Sequence, residues 1–355
     1  MNQKVVFLAD CLITQKAGIH YYTKQFIKRT IAAYPSNDYY MIVPSAYKDI
    51  DIQQVIIPIS KTIPLHLRIR NLWHIPNAVR KLNPDVVIEM AHFGPFRLAK
   101  NIKRVTVIHD LTPILYPQWH DKASHIVHKL FLKRILNNAD HVIANSQITK
   151  AAIAEYHPPT LSKTQVVYPS IAVNNDVIFS DYTDSAYFLS VGTLEPRKNY
   201  ETLINAFNII AQKNDKIKLI IIGFKGWKSN PIFKLIEQSS AKDRIIIKGY
   251  VSEEALIEYY RNCLAFVFAT YYEGFGMPLL EAMTLNSLVV CSDIDICHEV
   301  CGDGAVYFTD TSDLAFIMQS IVTSPNDYSD YKSKALIRAK EINNKKINLD
   351  NILSI

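Results

Sequence analysis

Tyr272-Glu273-Gly274-Phe275-Gly276-Met277-Pro278-Leu279-Leu280-Glu281 follows the apolar run Leu264–Phe268 after a gap of three residues. A short apolar run bounded by turn residues is the pattern of a strand buried on both faces, and Pro278 suits the opening of a helix, where a missing N–H costs nothing. The unit reads as strand, glycine-bearing turn, helix. Such a turn aims backbone N–H groups and the positive helix end outward, which makes it an anion site. Glu273 falls in the turn and Glu281 in the first turn of the helix, so the two carboxylates meet one ligand from different heights.

The same alternation runs outward in both directions. Towards the N-terminus the candidate strands are Val5–Ala9, Tyr39–Val43, Asp85–Ile88, Arg104–Ile108, His141–Ala144 and Gln165–Tyr168, with helical patterns near 19–33, 69–82, 122–138 and 146–157 between them. In the other half Tyr187–Val191, Lys218–Ile222, Arg244–Lys248 and Leu288–Cys291 join Leu264–Phe268, separated by helices from about Tyr200, after Pro231, from Ser252, from Pro278 and near 312–323. The polar, aperiodic stretch 174–186 reads as the linker. The expected fold class is therefore α/β, with two parallel-sheet lobes: an N-terminal domain over 1–173, a C-terminal domain over 174–330, and a last helix over 331–355 packing back on the first. Ligand sites in such sheets lie beyond the carboxyl ends of the strands, and two lobes place the site in a cleft between them.

Composition narrows the function. With 355 residues, 49% hydrophobic and 20% charged, the chain is neither disordered nor a coiled coil, and each lobe is long enough for its own core. Five cysteines without a Cys-x-x-Cys pair fit reduced thiols in a cytoplasm. Val5–Ala9 is too short for a signal-peptide core, and no run reaches the roughly 18 apolar residues of a membrane span. The net charge of +6 is uneven: residues 1–170 hold 21 Lys and Arg against 10 Asp and Glu, and the rest hold 18 against 23. A lobe at +11 attracts anions, but no nucleic-acid module accompanies it, so nucleic acid is not an expected partner. No Walker lysine, G-x-G-x-x-G or G-x-S-x-G turn is found. Asp49-Ile50-Asp51 and Asp293-Ile294-Asp295 spell D-x-D without a third ligand, so no metal site is expected.

Three further strand ends carry chemistry. Val191-Gly192-Thr193-Leu194-Glu195-Pro196-Arg197-Lys198-Asn199 sets two cations at a helix entrance, a poor choice for the helix dipole unless an anion sits there. His109 and Asp110 follow Arg104–Ile108, and Gly18 precedes the first long helix.

Together these residues resemble the family-4 retaining glycosyltransferases, whose E-x7-E signature is matched by Glu273 and Glu281, with Gly274, Phe275 and Gly276 between. The resemblance spans nearly the whole chain and is strongest over 191–283. It implies the GT-B fold, two Rossmann-like domains facing each other across a cleft, with the acceptor on the basic lobe and a nucleotide sugar on the other. It also implies roles. Glu281 holds the ribose hydroxyls, Glu273 and His109 lie beside the transferred sugar, and Asp110 fixes the histidine tautomer or faces the acceptor. Arg197, Lys198, the Gly274–Gly276 turn and Gly18 serve the diphosphate, and main chain near Val251 serves the base. Thr193 and Ala17 depart from the family's basic residue and glycine at those positions. Preorganised cations and backbone donors would stabilise a leaving diphosphate without a metal, so no cofactor is expected.

Glu-Pro-Arg-Lys-Asn with Gly223–Lys228 looks like the bacterial polysaccharide mannosyltransferases, implying GDP-mannose as donor, with UDP-hexoses and dTDP-rhamnose next. A saccharide or lipid-diphosphate-linked acceptor follows, as in O-antigen, capsule or exopolysaccharide synthesis. The mix of Trp73 with Arg68, Arg70, Arg80 and Lys81 over Ile63–Leu82, and a second such segment over His125–Leu136, suits the headgroup boundary of an anionic membrane. Two other classes share the layout: a nucleotide-sugar 2-epimerase, which needs no acceptor, and a non-catalytic two-lobed sugar-binding protein, which is normally exported.

Overall fold

The computed structural model describes residues 2–15, 18–60, 69–91, 98–171 and 186–353. The chain divides into two units, one comprising Met1–Leu115, Asp121–Ser170 and Lys345–Ile355, the other Tyr116–His120 and Ile171–Asn344. The linker expected over 174–186 lies, but for Ala186, outside the described residues.

The first unit holds seven parallel strands, β1 Lys4–Leu8, β2 Asp38–Val43, β3 Gln53–Ile56, β4 Val86–Glu89, β5 Lys103–Ile108, β6 His141–Ala144 and β7 Thr164–Val166, in the order β3-β2-β1-β4-β5-β6-β7. Its helices include α1 Gly18–Ala33, α2 Ile75–Leu82, α3 Lys122–Asn138 and α4 Gln147–Tyr156. Each expected strand and helix of this half is present within a few residues. The exception is β3, whose half-exposed Gln-Gln-Val-Ile pairs on one side only and so shows no clean apolar run. The centre of β1 and β4 is apolar on both faces, as a parallel sheet covered on both sides requires. Asp121 and Ser146 cap α3 and α4 by accepting from Ser124 and Thr149 N–H.

The second unit holds β8 Tyr187–Val191, β9 Lys218–Ile222, β10 Ile245–Lys248, β11 Ala265–Phe268, β12 Val289–Ser292 and β13 Ala305–Phe308, all parallel, in the order β10-β9-β8-β11-β12-β13. Here the edge strand β13 escaped the sequence reading, as did the helix Asp295–Cys301. Helices α5 Tyr200–Ala211, α6 Asn230–Glu237, α7 Glu253–Asn262, α8 Met277–Thr284, α9 Asp295–Cys301, α10 Thr311–Thr323 and α11 Ser329–Asn343 complete it. Helices α5, α6 and α10 build the large apolar core on one face. Helix α8 packs instead against α7, α9 and α11.

One expectation is corrected. The last helix ends at Asn343 and packs within the second unit through Ala335, Ala339 and Ile342. The tail Lys345–Ile355 is what joins the first unit, and no helix spans its described residues, 345–353. Consecutive Asn343-Asn344 weaken the helix end, and Ile347, Leu349, Ile352 and Leu353 are spaced too irregularly for one helical stripe. They enter the core beside Tyr34 and Phe26.

Candidate functional site

The second unit gathers its charged groups at the carboxyl edges of β8 and β11. The β8 exit is held by a close approach: at Gly223, beyond β9, a Cβ would lie 1.9 Å from the Gly192 carbonyl oxygen, so only glycine lets the two turns stack. From there the chain reaches Glu195-Pro196-Arg197-Lys198 and enters α5 under an Asn199 cap. The β11 exit runs through Thr270 to Glu273 and the buried Gly274–Gly276 turn, where Gly276, at φ +90°, occupies a left-handed conformation that L side chains rarely adopt.

These two turns meet. Arg197 Nη1 lies 2.6 Å from one Glu273 carboxylate oxygen and Lys198 Nζ 2.5 Å from the other. Arg197 also donates to Glu195 Oε1 at 2.6 Å and to the Tyr272 carbonyl at 2.9 Å, and Lys198 stands 5.0 Å from the centre of the Phe268 ring. Thr270 Oγ1 donates to the Arg197 carbonyl at 3.1 Å, tying turn to turn. Burial raises the Glu273 carboxyl, but Arg197 and Lys198 outweigh it and hold the group below its ordinary range. For Glu195, 1% exposed, burial wins: the same cations pull it back only in part and it stays above its ordinary range. Two carboxyls one turn apart are thus pushed in opposite directions, a mark of functional sites.

Glu281 stands one step past the expected place. Met277 and Pro278 occupy the first two helical positions, so Glu281 is in the second turn of α8. It accepts from the Tyr260 hydroxyl at 2.8 Å and burial raises its carboxyl. Val251 is half-buried in the loop after β10. All the second-unit candidates therefore lie at the carboxyl side of one sheet.

In the first unit Gly18 opens α1, whereas Ala17 lies outside the described residues. His109 follows β5, 5% exposed, edge-on to Tyr22 with ring centres 5.0 Å apart. Its Nε2 lies 2.7 Å from the Met90 carbonyl, which can only accept, and burial lowers the imidazole pKa, so the neutral ring carries its proton on Nε2. The Met90 carbonyl thus sets the tautomer, the first of the two roles expected of Asp110. Asp110 Oδ1 accepts from Thr112 N–H and Oγ1 at 2.9 and 2.6 Å, closing the turn at Thr112–Leu115.

The sequence reading also missed groups here. Glu195 has no part in the motif reading, although an acid two residues before an arginine in a tight turn is within reach of it. Glu89, at the end of β4, is 7% exposed; one carboxyl oxygen accepts from Ala91 N–H while Oε2 has no hydrogen-bond partner among the described residues. Burial pushes its carboxyl up to about 8. No pattern in Val-Val-Ile-Glu announces this.

The basic segments divide. Arg68 lies outside the described residues. Arg70, expected at a headgroup, is fully buried and gives both terminal nitrogens to Asp10, with Nε on the Ile57 carbonyl. Helix α3 does present an exposed mixed face, with Ile126 and Leu130 at 52% and 65% exposure near Lys122 and Lys129. Among the described residues no helix is long and apolar enough to cross a membrane, and no group of His, Cys, Asp or Glu has metal-site geometry. Asp49 instead pairs with Lys24, and Asp293 with His298. All five cysteines are free, and burial pushes the Cys11 and Cys263 thiols up to about 12, which leaves them unreactive.

Comparison with known proteins agrees with this geometry. Residues 29–175 match the family model "Glycosyltransferase Family 4", and residues 175–337 match "Glycosyl transferases group 1". The chain is 26% identical over 353 residues to O-antigen chain mannosyltransferase B of Escherichia coli, covering 92% of this chain and 91% of that one. It is 28% identical over 265 residues to O-antigen chain mannosyltransferase RfbU of Salmonella typhimurium, covering 74% and 72%. The structure of sucrose-phosphate synthase from Thermosynechococcus elongatus superposes with a TM-score of 0.77 at 18% identity, over 97% and 95% of the two chains, which establishes the fold alone. With two family models laid end to end over residues 29–337 and two parallel-sheet units beneath them, the chain belongs to the family-4 glycosyltransferases of GT-B fold.

Proposed function

We propose that the protein transfers a hexose with retention of anomeric configuration from a nucleoside-diphosphate sugar to a saccharide or lipid-diphosphate-linked acceptor in bacterial polysaccharide assembly. GDP-mannose is the proposed donor, with UDP-hexoses and dTDP-rhamnose next. One observation carries the reading: Arg197 and Lys198, from the β8 turn, converge on Glu273, from the β11 turn, with Glu281 on the helix that follows. The O-antigen mannosyltransferase relatives support the sugar and the pathway class.

The residues suggest how the reaction runs. Without a ligand, Glu273 balances the two cations. An incoming diphosphate competes for them, and as the sugar–phosphate bond breaks, the charge growing on the phosphate is met by groups already in place. No metal is required for that step in this proposal. Glu273, released towards the hexose, and His109 act beside the transferred sugar; Asp110 positions the histidine turn. Glu281 takes the ribose hydroxyls, the Gly274–Gly276 turn and Gly18 approach the diphosphate, and the main chain at Val251 meets the base. The acceptor attacks from the leaving-group face, and the phosphate takes its proton. The exposed face of α3 rests on the anionic inner surface of the membrane, where a lipid-linked acceptor resides.

A thermal-shift panel of GDP, UDP, dTDP and ADP with their sugars tests the donor, since a ligand at 100 times its Kd stabilises by about 2.7 kcal/mol. Stabilisation by GDP species above the others, an α-linked product from GDP-α-mannose, and turnover unaffected by a chelator are expected. No stabilisation by any nucleotide, or a β-linked product, overturns the reading. Cosedimentation with anionic vesicles tests the surface: Ile126→Glu/Leu130→Glu releases the protein, whereas an unchanged bound fraction refutes the α3 assignment.

A further inference from the structure

The back of the same two turns carries something the donor reading does not use. Tyr116–His120, an excursion from the N-terminal half of the chain, packs within the second unit. It is fastened there by Lys228, which donates to the Gln118 and His120 carbonyls, and by Trp227, whose ring N–H donates to the Trp119 carbonyl. Lys228 makes these bonds from a left-handed backbone at φ +52°, unusual for a residue with a side chain. An ordered strap and a strained clamp serve no need of the sheet. What they build is an aromatic ladder: Tyr272 against Tyr116 at 5.1 Å, Tyr116 on Trp119 at 4.5 Å, and Trp119 on Tyr271 at 6.0 Å with their planes 14° apart.

Trp119 and Tyr271 form part of the wall of a cavity of about 470 Å³, which continues past Pro196 and the entrance of α5 and along α6 past Lys234 to Gln238 at its end. That volume falls in the range of small-molecule sites, and the lining follows their pattern of apolar walls with a few polar groups. Three features select the ligand. The Lys228 ammonium is spent on the strap, and of the remaining charged side chains Lys234 is offset by Glu201, so the cavity does not favour an anion. The Lys234, Glu201 and Gln238 side chains make no hydrogen bond or ion pair among the described residues, which leaves donors and acceptors for hydroxyl groups around an aromatic wall. Finally, the cavity lies at the entrance of α5 and along α6, helices of one face of the sheet, whereas Glu281 is on α8, which packs with α7, α9 and α11 and has no place in the core that α5 and α6 build. The proposed nucleotide path runs to α8, not here.

We propose that this cavity is a second saccharide subsite, in which a neutral pyranose ring of a sugar chain lies against Trp119 and Tyr271 with its hydroxyls on Gln238, Glu201 and Lys234. The assignment of a saccharide rests on the glycosyltransferase reading; the existence of a neutral-ligand site does not. Because Pro196 and Tyr271 belong to the turns that carry Arg197 and Glu273, a chain held here is anchored beside the donor cluster, and one enzyme molecule can keep its product between additions.

The test is calorimetric titration of the full chain with α-linked mannotriose, with and without saturating GDP. Binding that is indifferent to GDP and is weakened about tenfold by Trp119→Leu is expected. Since that substitution could unlatch the strap, Lys234→Ala/Gln238→Ala, which leaves the strap bonds in place, provides the second measurement and weakens binding at least fivefold. Absence of mannotriose binding, competition between mannotriose and GDP, or binding unaffected by Lys234→Ala/Gln238→Ala overturns the subsite. GDP titration of the unmodified protein is read separately: failure there, with mannotriose still bound, sinks the donor reading and leaves the cavity standing.

Discussion

Glu273 is where the single-residue chemistry concentrates, because its charge is set by two cations that a substrate must also use. Glu273→Gln removes the internal counter-anion while keeping the shape. GDP affinity then rises several-fold, while transfer falls by on the order of a hundredfold, the scale of losing one preorganised electrostatic group; a variant that binds GDP more weakly than the parent contradicts the arrangement. Glu89 makes a different prediction, for stability. Its carboxyl titrates at about 8 in the folded chain against an ordinary 4.5, so between those values the native state keeps a proton that the unfolded state has lost. Stability is therefore greatest below about 4.5 and falls as pH rises through about 8, at up to about 1.4 kcal/mol per pH unit for one whole proton. Glu89→Gln removes that slope, and urea unfolding of both proteins from pH 5 to 8 checks it; parallel curves refute the assignment. Sequence exposed the first of these residues and not the second. Glu273 sits in a motif with a fixed spacing to Glu281, whereas the state of Glu89 depends on what folds over it, which no local pattern encodes.

Among elements, the turns after β8 and β9 depend on a backbone contact. Gly223→Ala would force its Cβ against the Gly192 carbonyl, backbone on both sides, and nothing nearby can yield. Overpacking of this kind costs about 1–3 kcal/mol, and it displaces the turn that carries Arg197 and Lys198. A lower Tm together with weaker GDP binding is the expected pair of readings, against Gly249→Ala as a control, where nothing stands within 4 Å. A Gly223→Ala protein with unchanged GDP affinity would show that the turn is not positioned by this contact. The element pattern itself was largely readable, since central strands such as Val5–Ala9 and, past its first lysine, Lys218–Ile222 are unbroken apolar runs. Edge strands β3 and β13 were not, because a strand paired on one side is free to carry glutamine or tyrosine outward. Arg70 failed for a related reason: an arginine among apolar residues reads as amphipathic surface, and only the fold brings Asp10 to it.

At the scale of the whole chain, the two units are not two consecutive stretches of sequence. Residues 116–120 and 345–355 each belong to the unit that their neighbours in sequence do not; the return of the C-terminus to the first unit is expected from the sequence, though as a helix from 331, whereas the 116–120 excursion is invisible to a reading that cuts the chain at a linker. The tail is the more consequential. Leu349 and Ile352 are fully buried in the core of the first unit, Ile347 and Leu353 nearly so, the Leu349 N–H donates to the Tyr34 hydroxyl, and Lys103 donates to the Ile352 carbonyl. At about 1.5–3 kcal/mol for each buried aliphatic side chain, four of them contribute an amount comparable to the whole stability of an ordinary domain. Leu349→Ala/Ile352→Ala should therefore loosen the first unit while sparing the second, whose cores contain none of these residues. Because a chain of two units does not unfold in one step, a single melting temperature does not say which unit has been loosened. Hydrogen exchange followed by peptide reads the units separately. Faster exchange in β1 and β2 with unchanged protection in β8 and β9 is the expected result, and uniform acceleration in both would mean that the tail stabilises the chain by some route other than the core it enters.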